Sequence, residues 1–140
     1  MQRSGHVTKV FINLPVKNLD DSLRFFSEIG FSFDEKYMDE TSACMKLTDS
    51  SYVMFLTEVK FKIFTPKKIC DANKFTEVLT CLSLDSRNAV DDLVKKAISA
   101  GGTTYNEPQD YGFMYGHGFL DINGHIWELI YMSPSTVTQG

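Results

Sequence analysis

One acidic residue near the end of the chain has the surroundings of a catalytic or ligand-binding carboxylate. Glu128 lies among Ile126, Leu129 and Ile130, in a segment that otherwise has the composition of an apolar strand. A carboxyl group that a fold removes from water has to be paired or perturbed. In an apolar pocket it can act as a general base or as a ligand contact. We therefore treat Glu128 as a candidate general base and as a ligand-binding residue.

The histidines and cysteines form no recognisable metal or nucleophile motif. His125 stands three residues before Glu128, so strand alternation places the two on opposite faces, and His6 lies in a polar N-terminal segment. His117 lies in a glycine-rich aromatic stretch, where a surface imidazole on a curved strand is favoured over a metal ligand. No CxxC pair or helix N-terminus activates a thiol, so we expect small, mostly buried cysteines. They are Cys44, Cys70 and Cys81.

The first part of the chain has the pattern of a strand, a helix and three further strands. A β-rich run over residues 9–16 is followed by Asn18, a good helix N-cap. Apolar residues at helical spacing then continue to Gly30, which ends the helix. Residues 9–57 therefore form one predicted βαβββ module. Its later strands are predicted over residues 31–38, 42–47 and 52–57.

The second part repeats this order of elements. A predicted strand over residues 76–84 precedes a helix that starts after Ser86 and ends at Gly101. Asn123-Gly124 is a strong signal for a hairpin turn between the last two strands. We interpret the chain as a duplicated module, with module two over residues 75–132. The later strands of module two are predicted over residues 103–106, 112–120 and 125–132.

A lysine-rich segment, residues 58–74, connects the two modules. It alternates lysines with apolar residues and contains Thr65-Pro66, a pair typical of a helix start. The plain interpretation is a crossover linker with a solvated face. The functional alternative is a lid or a partner surface.

The composition is that of one ordered domain over residues 1–140, and we predict the α+β class. Hydrophobic residues make up 43% of the chain, which is enough for a sizeable core. The net charge of −4 disfavours a nucleic-acid partner. No apolar run approaches the roughly 18 residues of a membrane span, and the N-terminus is polar. We therefore expect a cytoplasmic protein without membrane association.

Motifs at both ends of the chain carry a family resemblance. The opening motif is NLPVKNLDDS at residues 13–22, with FF at 25–26 and IGF at 29–31, and the closing motif is DINGHIWEL at 121–129. Together they resemble the vicinal oxygen chelate superfamily, which includes glyoxalase I, extradiol dioxygenases and bleomycin-resistance proteins. The resemblance implies two βαβββ modules that form a curved mixed sheet around a central cavity, with helices on the outer face. It also implies a homodimer, because such proteins commonly pair through exposed sheet edges.

Enzymes of this superfamily generally hold one divalent metal, with ligands on the first and last strand of each module. Transferred to this sequence, those positions carry Phe11, Phe55, Leu79 and Glu128. Only Glu128 has a donor atom, whereas divalent sites need several oxygen or nitrogen donors. We therefore predict that the family metal is absent and that no cofactor is bound.

The cavity implied by the resemblance would be mainly apolar and aromatic, with a few polar groups. If alternation holds, Phe11 and Asn13 share a face of the first strand, and Leu79 and Cys81 share a face of the fifth. The alternative is that these side chains merely fill the core. The predicted ligand-binding residues are Phe11, Asn13, Phe55, Leu79, Cys81, Tyr111, Tyr115 and Glu128.

Two functions of different classes follow from the resemblance. The first is a metal-independent protein that binds a small, partly aromatic or cationic ligand, as bleomycin-resistance proteins do. The second is a lyase or isomerase of glyoxalase type with Glu128 as general base, or a metal-dependent dioxygenase if a metal is found. A metal-free enzyme would need another group to stabilise the developing enolate, and the candidates are Asn13 and a tyrosine.

Overall fold

A computed structural model describes residues 6–134 of the chain. The chain divides into two compact units, one ending at Ile69 and the other beginning at Cys70. Within the described residues, each unit contains a four-stranded mixed sheet with helices. This confirms the predicted α+β class. The cavity shared by the two modules stays a prediction.

In the first unit the sheet order is β1-β4-β3-β2. Strand β1, at one edge of the sheet, is parallel to β4, and the other neighbours are antiparallel. The elements in chain order are β1 (Val10–Val16), α1 (Leu19–Glu28), β2 (Ser32–Phe33), β3 (Ser42–Thr48), β4 (Ser51–Thr57) and α2 (Glu58–Ile63).

Helix α1 has the start and the end that the sequence predicts. The side chain of Asn18 accepts a hydrogen bond from the Asp21 amide at 2.9 Å. After the helix, Gly30 has a φ of 110°, a conformation that favours glycine. The apolar face of α1 is buried on the sheet, where Phe26 stacks on Phe55 with ring centroids 4.9 Å apart. This face therefore forms the core of the first unit.

The second unit repeats the arrangement with sheet order β5-β8-β7-β6. Strands β5 and β8 are parallel, and the other neighbours are antiparallel. The elements are β5 (Leu79–Ser83), α3 (Arg87–Ser99), β6 (Gln109–Asp110), β7 (Met114–Leu120) and β8 (Ile126–Met132). The order strand, helix, three strands thus recurs, as the sequence predicts.

Helix α3 packs on β7 and β8 and closes the core of the second unit. Its N-cap is Ser86, whose hydroxyl accepts a hydrogen bond from the Ala89 amide at 3.0 Å. Beneath the helix, Phe119 and Trp127 are fully buried and stack with ring centroids 6.4 Å apart. One face of this sheet is therefore committed to the core.

Two of the predicted strands are wrong in extent. The prediction over residues 31–38 contains only β2, followed by a 3₁₀ turn over Glu35–Tyr37. The turn forms because the carboxylate of Asp34 accepts a hydrogen bond from the Lys36 amide at 3.0 Å. Residues 103–106 form a loop with a single bridge from Thr103 to Leu120, and β6 takes the edge of the sheet.

The crossover segment contains a helix, but not where the threonine–proline pair predicts it. Helix α2 begins after Thr57, whose hydroxyl accepts a hydrogen bond from the Lys60 amide at 3.2 Å. Thr65 forms only a local turn, with the Lys67 amide 3.1 Å from its hydroxyl. Among residues 6–134, no helix is long and apolar enough to cross a membrane.

Candidate ligand-binding site

The face of the second sheet opposite α3 carries the polar residues that the sequence singles out. In β8, Trp127 and Leu129 are buried on the helix side, whereas Glu128 points the other way with Ile126 and Ile130. The parallel register pairs Leu79 with Ile126 and Cys81 with Glu128. Leu79, Cys81 and Glu128 therefore share the open face, in the arrangement that alternation predicts.

A row of three residues crosses this open face at its centre. Cys81 of β5 lies beside Glu128 of β8, which lies opposite Gly118 of β7. Of the rows on either side, one contains Leu79 and Ile126 and is apolar, and the other contains Ile130 beside the exposed Ser83. The central row is thus a polar strip on an apolar floor.

The carboxylate of Glu128 has no intramolecular partner in the part of the chain that the structure describes. It forms neither a hydrogen bond nor an ion pair with residues 6–134, and the residue is half-buried. An ionised carboxylate offers only acceptors, so it can receive hydrogen bonds from a ligand. Leu79 beside it is 54% exposed, which leaves apolar surface open next to the charge.

Tyr105 joins this strip, and it is absent from the ligand-binding residues that the sequence predicts. An ideal Cβ built on Gly118 would lie 2.5 Å from the Tyr105 hydroxyl oxygen and 3.1 Å from its Cζ. The phenol therefore lies over the bare backbone of Gly118, next to Glu128 in the central row. A glycine within a strand pattern signals such a close approach, and this was the one sequence clue.

The loop that carries Tyr105 is tied to β7 by hydrogen bonds from both of its neighbours. The hydroxyl of Thr104 lies 3.1 Å from Nε2 of His117 and 3.2 Å from the carbonyl oxygen of Gly118. The same His117 nitrogen lies 3.0 Å from the carbonyl oxygen of Asn106. His117 thus holds the loop on either side of Tyr105, a positioning role rather than a metal-binding one.

Tyr105 and Cys81 in this strip both have raised pKa values. Partial burial raises the pKa of Tyr105, and the charge of Glu128 and the Cys81 thiol raise it further. Partial burial likewise raises the pKa of the Cys81 thiol, with a second contribution from the Glu128 charge. Both groups therefore keep their protons at neutral pH, which makes Tyr105 a hydrogen-bond donor and Cys81 a poor nucleophile.

The cysteines differ from the expectation that they are mostly buried. Cys44 is buried, but Cys70 and Cys81 are exposed. Cys81 is exposed because β5 is an edge strand and its odd-numbered side chains lie on the open face. The expectation holds for Cys44 and is wrong for the other two.

The first unit has an open face of a different kind. Phe11 stacks on Tyr52 with ring centroids 5.0 Å apart and meets the edge of Tyr37 at 5.7 Å. Lys9 places its ammonium 5.7 Å from the centre of the Tyr52 ring. Asn13 lies on the same side of β1 as Phe11 and is exposed. This face offers aromatic surface, the amide of Asn13 and the ammonium of Lys9.

Phe55, a predicted ligand-binding residue at a transferred family position, does not lie on the open face with Phe11. Phe55 is fully buried against Phe26 of α1. The register pairs Phe11 with Tyr52 and Asn13 with Met54, so the open face of β4 carries even-numbered residues. Phe55 is a core residue, and Met54 stands where the corresponding position of β8 has Glu128.

The two predicted tyrosines also lie away from the strip. Tyr115 points to the helix side and donates a hydrogen bond to the carboxylate of Asp91 at 2.6 Å. Arg87 lies over the Tyr115 ring at 5.1 Å and pairs with Asp110 at 2.8 Å. Tyr111 is exposed in the turn before β7, with its hydroxyl 3.5 Å from Gln109. Tyr115 is therefore structural, which corrects its predicted place in the ligand site.

The donor atoms on these faces do not fit a divalent metal. With Met54 in place of Phe55, the transferred ligand positions carry a phenyl ring, a thioether, an isobutyl group and one carboxylate. Among residues 6–134, no three histidine, cysteine, aspartate or glutamate side chains cluster as metal ligands. The absence of a bound metal itself stays a prediction.

Comparison with known families gives one match over most of the chain. Residues 3–129 match the model of the Glyoxalase/Bleomycin resistance protein/Dioxygenase superfamily. No curated protein matches the chain.

Solved structures share the fold at low sequence identity. A hypothetical protein, SA1046, from S. aureus is 24% identical with a TM-score of 0.77, over 91% of this chain and 95% of that one. A glyoxalase/bleomycin resistance protein/dioxygenase family enzyme from Burkholderia phytofirmans PsJN is 19% identical with a TM-score of 0.73, over 88% and 97%. A glyoxalase-related enzyme from Fulvimarina pelagi is 15% identical with a TM-score of 0.74, over 87% and 86%. At these identities the likeness establishes the fold alone.

Proposed function

The chain belongs to the Glyoxalase/Bleomycin resistance protein/Dioxygenase superfamily, and from this premise we propose that it binds a small organic ligand without the family metal. The ligand lies on the open face of the second sheet. Its polar group meets Glu128, and its apolar or aromatic body covers Leu79 and the isoleucines of β8.

The observation that carries the proposal is the unpaired carboxylate on an apolar floor. Glu128 shares its face with exposed Leu79 and half-buried Ile130. Among residues 6–134, no group forms a hydrogen bond or an ion pair with its carboxylate. Small-molecule sites combine mostly apolar surface with a few convergent polar groups. A partly aromatic compound has apolar surface that can cover this face, and a cationic compound has a group that the Glu128 carboxylate attracts.

A lyase or isomerase of glyoxalase type is the second candidate, and the same carboxylate favours it. Glu128 would act as general base on a carbon next to a carbonyl group. Replacing Glu128 with Gln would then abolish turnover, whereas in a binding protein it would change affinity only. Metal-dependent dioxygenase chemistry becomes an option only if the protein proves to hold a metal. Cytoplasmic location stays a prediction.

The decisive experiment combines a measurement of metal content with a ligand-binding assay based on the alkylation of Cys81. Metal content is measured by mass spectrometry on untagged protein, with a thermal-shift titration of Zn²⁺, Ni²⁺, Mn²⁺ and Fe²⁺. We expect negligible metal and no stabilisation by any of these ions. About one metal per chain with clear stabilisation would contradict the metal-free proposal and favour the enzymes.

Ligand binding is then read from the alkylation of Cys81. This thiol lies beside Glu128, so a ligand on the open face slows its reaction with iodoacetamide. Cys70 is also exposed, and its alkylation, followed by peptide mass spectrometry in the same sample, is the internal control. Compounds that protect Cys81 and not Cys70 support the proposal. A broad screen of aromatic and cationic compounds that protects neither would contradict it.

A further inference from the structure

The position of the Tyr105 hydroxyl is set by a glycine that leaves room for it. A Cβ at position 118 would lie 2.5 Å from that hydroxyl and 2.6 Å from the carbonyl oxygen of Trp127. Such distances are shorter than any carbon contact allows, so only glycine admits the phenol here. The hydroxyl therefore reaches the backbone surface of β7 instead of standing above a side chain.

The same geometry places the hydroxyl over the strand position opposite Glu128. Gly118 and Glu128 are directly opposite residues of an antiparallel pair. Such residues point to the same face, with Cα atoms about 4.5–5.5 Å apart. Tyr105 and Glu128 are thus neighbours across one strand spacing, and the influence of Glu128 on the pKa of Tyr105 agrees with this distance.

The two groups have complementary hydrogen-bonding character and no partner in the described chain. The Tyr105 hydroxyl makes no hydrogen bond with residues 6–134, and neither does the Glu128 carboxylate. The phenol keeps its proton at neutral pH and donates, whereas the carboxylate only accepts. An unpaired donor thus stands beside an unpaired acceptor.

We propose that Tyr105 and Glu128 form a donor–acceptor pair that recognises a carbonyl oxygen next to an N–H group in the ligand. Primary amides, ureas and related groups have this pattern. The phenol donates to the carbonyl oxygen, and the carboxylate accepts from the adjacent N–H. The body of the ligand lies on Leu79 and the isoleucines of β8. This inference rests on the proposed function and specifies its ligand class.

The pair also distinguishes this ligand class from simple cations. A cation needs only the carboxylate, so its affinity would not depend on the phenol. A ligand that uses both groups loses one hydrogen bond when the hydroxyl is removed. From the net contribution of one hydrogen bond, that loss corresponds to about a tenfold weaker affinity.

Three probes and two matched variants test the pair. The probes are benzamide, which has both groups, N,N-dimethylbenzamide, which lacks the N–H, and benzamidinium, which lacks the carbonyl oxygen. Binding is measured by protection of Cys81 against alkylation and by amide chemical-shift changes in NMR spectra. Tyr105→Phe removes the hydroxyl, and Tyr111→Phe makes the same change in the exposed turn before β7.

The expected result is binding of benzamide that Tyr105→Phe weakens about tenfold and Tyr111→Phe leaves unchanged. N,N-dimethylbenzamide should bind more weakly than benzamide to the parent protein. Benzamidinium binding should not change in Tyr105→Phe. Glu128→Gln is a third variant and should weaken benzamide binding as well, so the test does not depend on one substitution.

Two contrary results have different meanings. If benzamide protects Cys81 equally in the parent and in Tyr105→Phe, the donor–acceptor pair is wrong while the ligand-binding face stands. If none of the three probes protects Cys81 or shifts a resonance of the open face, the donor–acceptor pair is wrong for amides. The broad compound screen then decides separately whether the binding face exists.

Discussion

Cys81 and Glu128 lie side by side on neighbouring parallel strands, and the carboxylate changes the chemistry of the thiol. The thiol is exposed, which would usually make it the reactive cysteine of the chain. Partial burial of the sulfur and the nearby carboxylate both raise its pKa. The strip therefore keeps a neutral thiol beside its carboxylate, which suits ligand contact better than nucleophilic catalysis.

This coupling predicts the pH profile of Cys81 alkylation. The rate follows the thiolate fraction, so its midpoint should lie above that of an ordinary thiol. Glu128→Gln removes one of the two causes and should lower the midpoint, while partial burial keeps it above the ordinary value. Iodoacetamide labelling across a pH series, with Cys81 quantified by peptide mass spectrometry, measures this. Glu107→Gln, which removes a charge elsewhere in the same unit, is the control, and an unchanged midpoint in Glu128→Gln would contradict the coupling.

At the scale of single residues, the sequence predicts which residues share a face with Glu128 better than it predicts which share a face with Phe11. Residues on either side of Glu128 alternate between core and open face, so Cys81 and Leu79 could be placed correctly. Strand β4 is apolar at nearly every position and has buried residues at both odd and even positions, so alternation carries no phase information there. Phe55 was therefore placed one residue out of phase. Tyr105 lies in a loop, where no periodicity points to it.

Among the elements, the turn between β7 and β8 depends on one buried carboxylate. Asp121 accepts hydrogen bonds from the amides of Asn123 and His125 at 2.8 and 3.1 Å. It also accepts one from the indole N–H of Trp127 at 3.0 Å. Burial raises the pKa of Asp121, against the opposing effects of His125 and these donors. These hydrogen bonds therefore hold the turn and the start of β8 in place together, and β8 begins two residues before Glu128.

Asp121→Asn is expected to destabilise the protein by about 1–3 kcal/mol. The amide has one oxygen, so it cannot accept from the backbone amides on one side and from the Trp127 indole on the other. One donor is then left buried without an acceptor. The free energy of unfolding from urea titrations measures the loss. Asp92→Asn, an exposed site on α3, should change it by no more than about 0.5 kcal/mol; equal stabilities of both variants would contradict the role of Asp121.

The elements that the sequence predicts well are those with strong local signals. Asn18 and Ser86 cap their helices as predicted, and Gly124 has the positive φ of 91° that the asparagine–glycine turn requires. The wrong elements have weaker signals or competing ones. The Asp34 carboxylate accepts a hydrogen bond from the Lys36 amide, and the resulting turn ends β2 early. Helix α2 begins directly after β4 with Thr57 as its N-cap, so no turn residues in the sequence separate the strand from the helix.

On the scale of the whole molecule, the two units share an architecture but not a chemistry. The open face of the first sheet has the aromatic group Phe11, Tyr37 and Tyr52. The open face of the second sheet has the polar strip around Glu128. The sequence predicts the duplication, whereas the difference between the two open faces follows only from the register of each sheet.

The last prediction concerns the association of two chains. Val59, Ile63 and Phe64, in or next to α2, are 81%, 71% and 68% exposed. Adjacent apolar side chains with this exposure mark interaction surfaces. We expect a homodimer, with a mass near twice 15.9 kDa by light scattering at micromolar concentration. Ile63→Asp should shift the mass towards the monomer, while Ile98→Asp, at an exposed position on α3, should not. A monomeric mass for the unaltered protein would contradict the dimer, and a dimer unaffected by Ile63→Asp would move the interface to the open sheet edges β1 and β5.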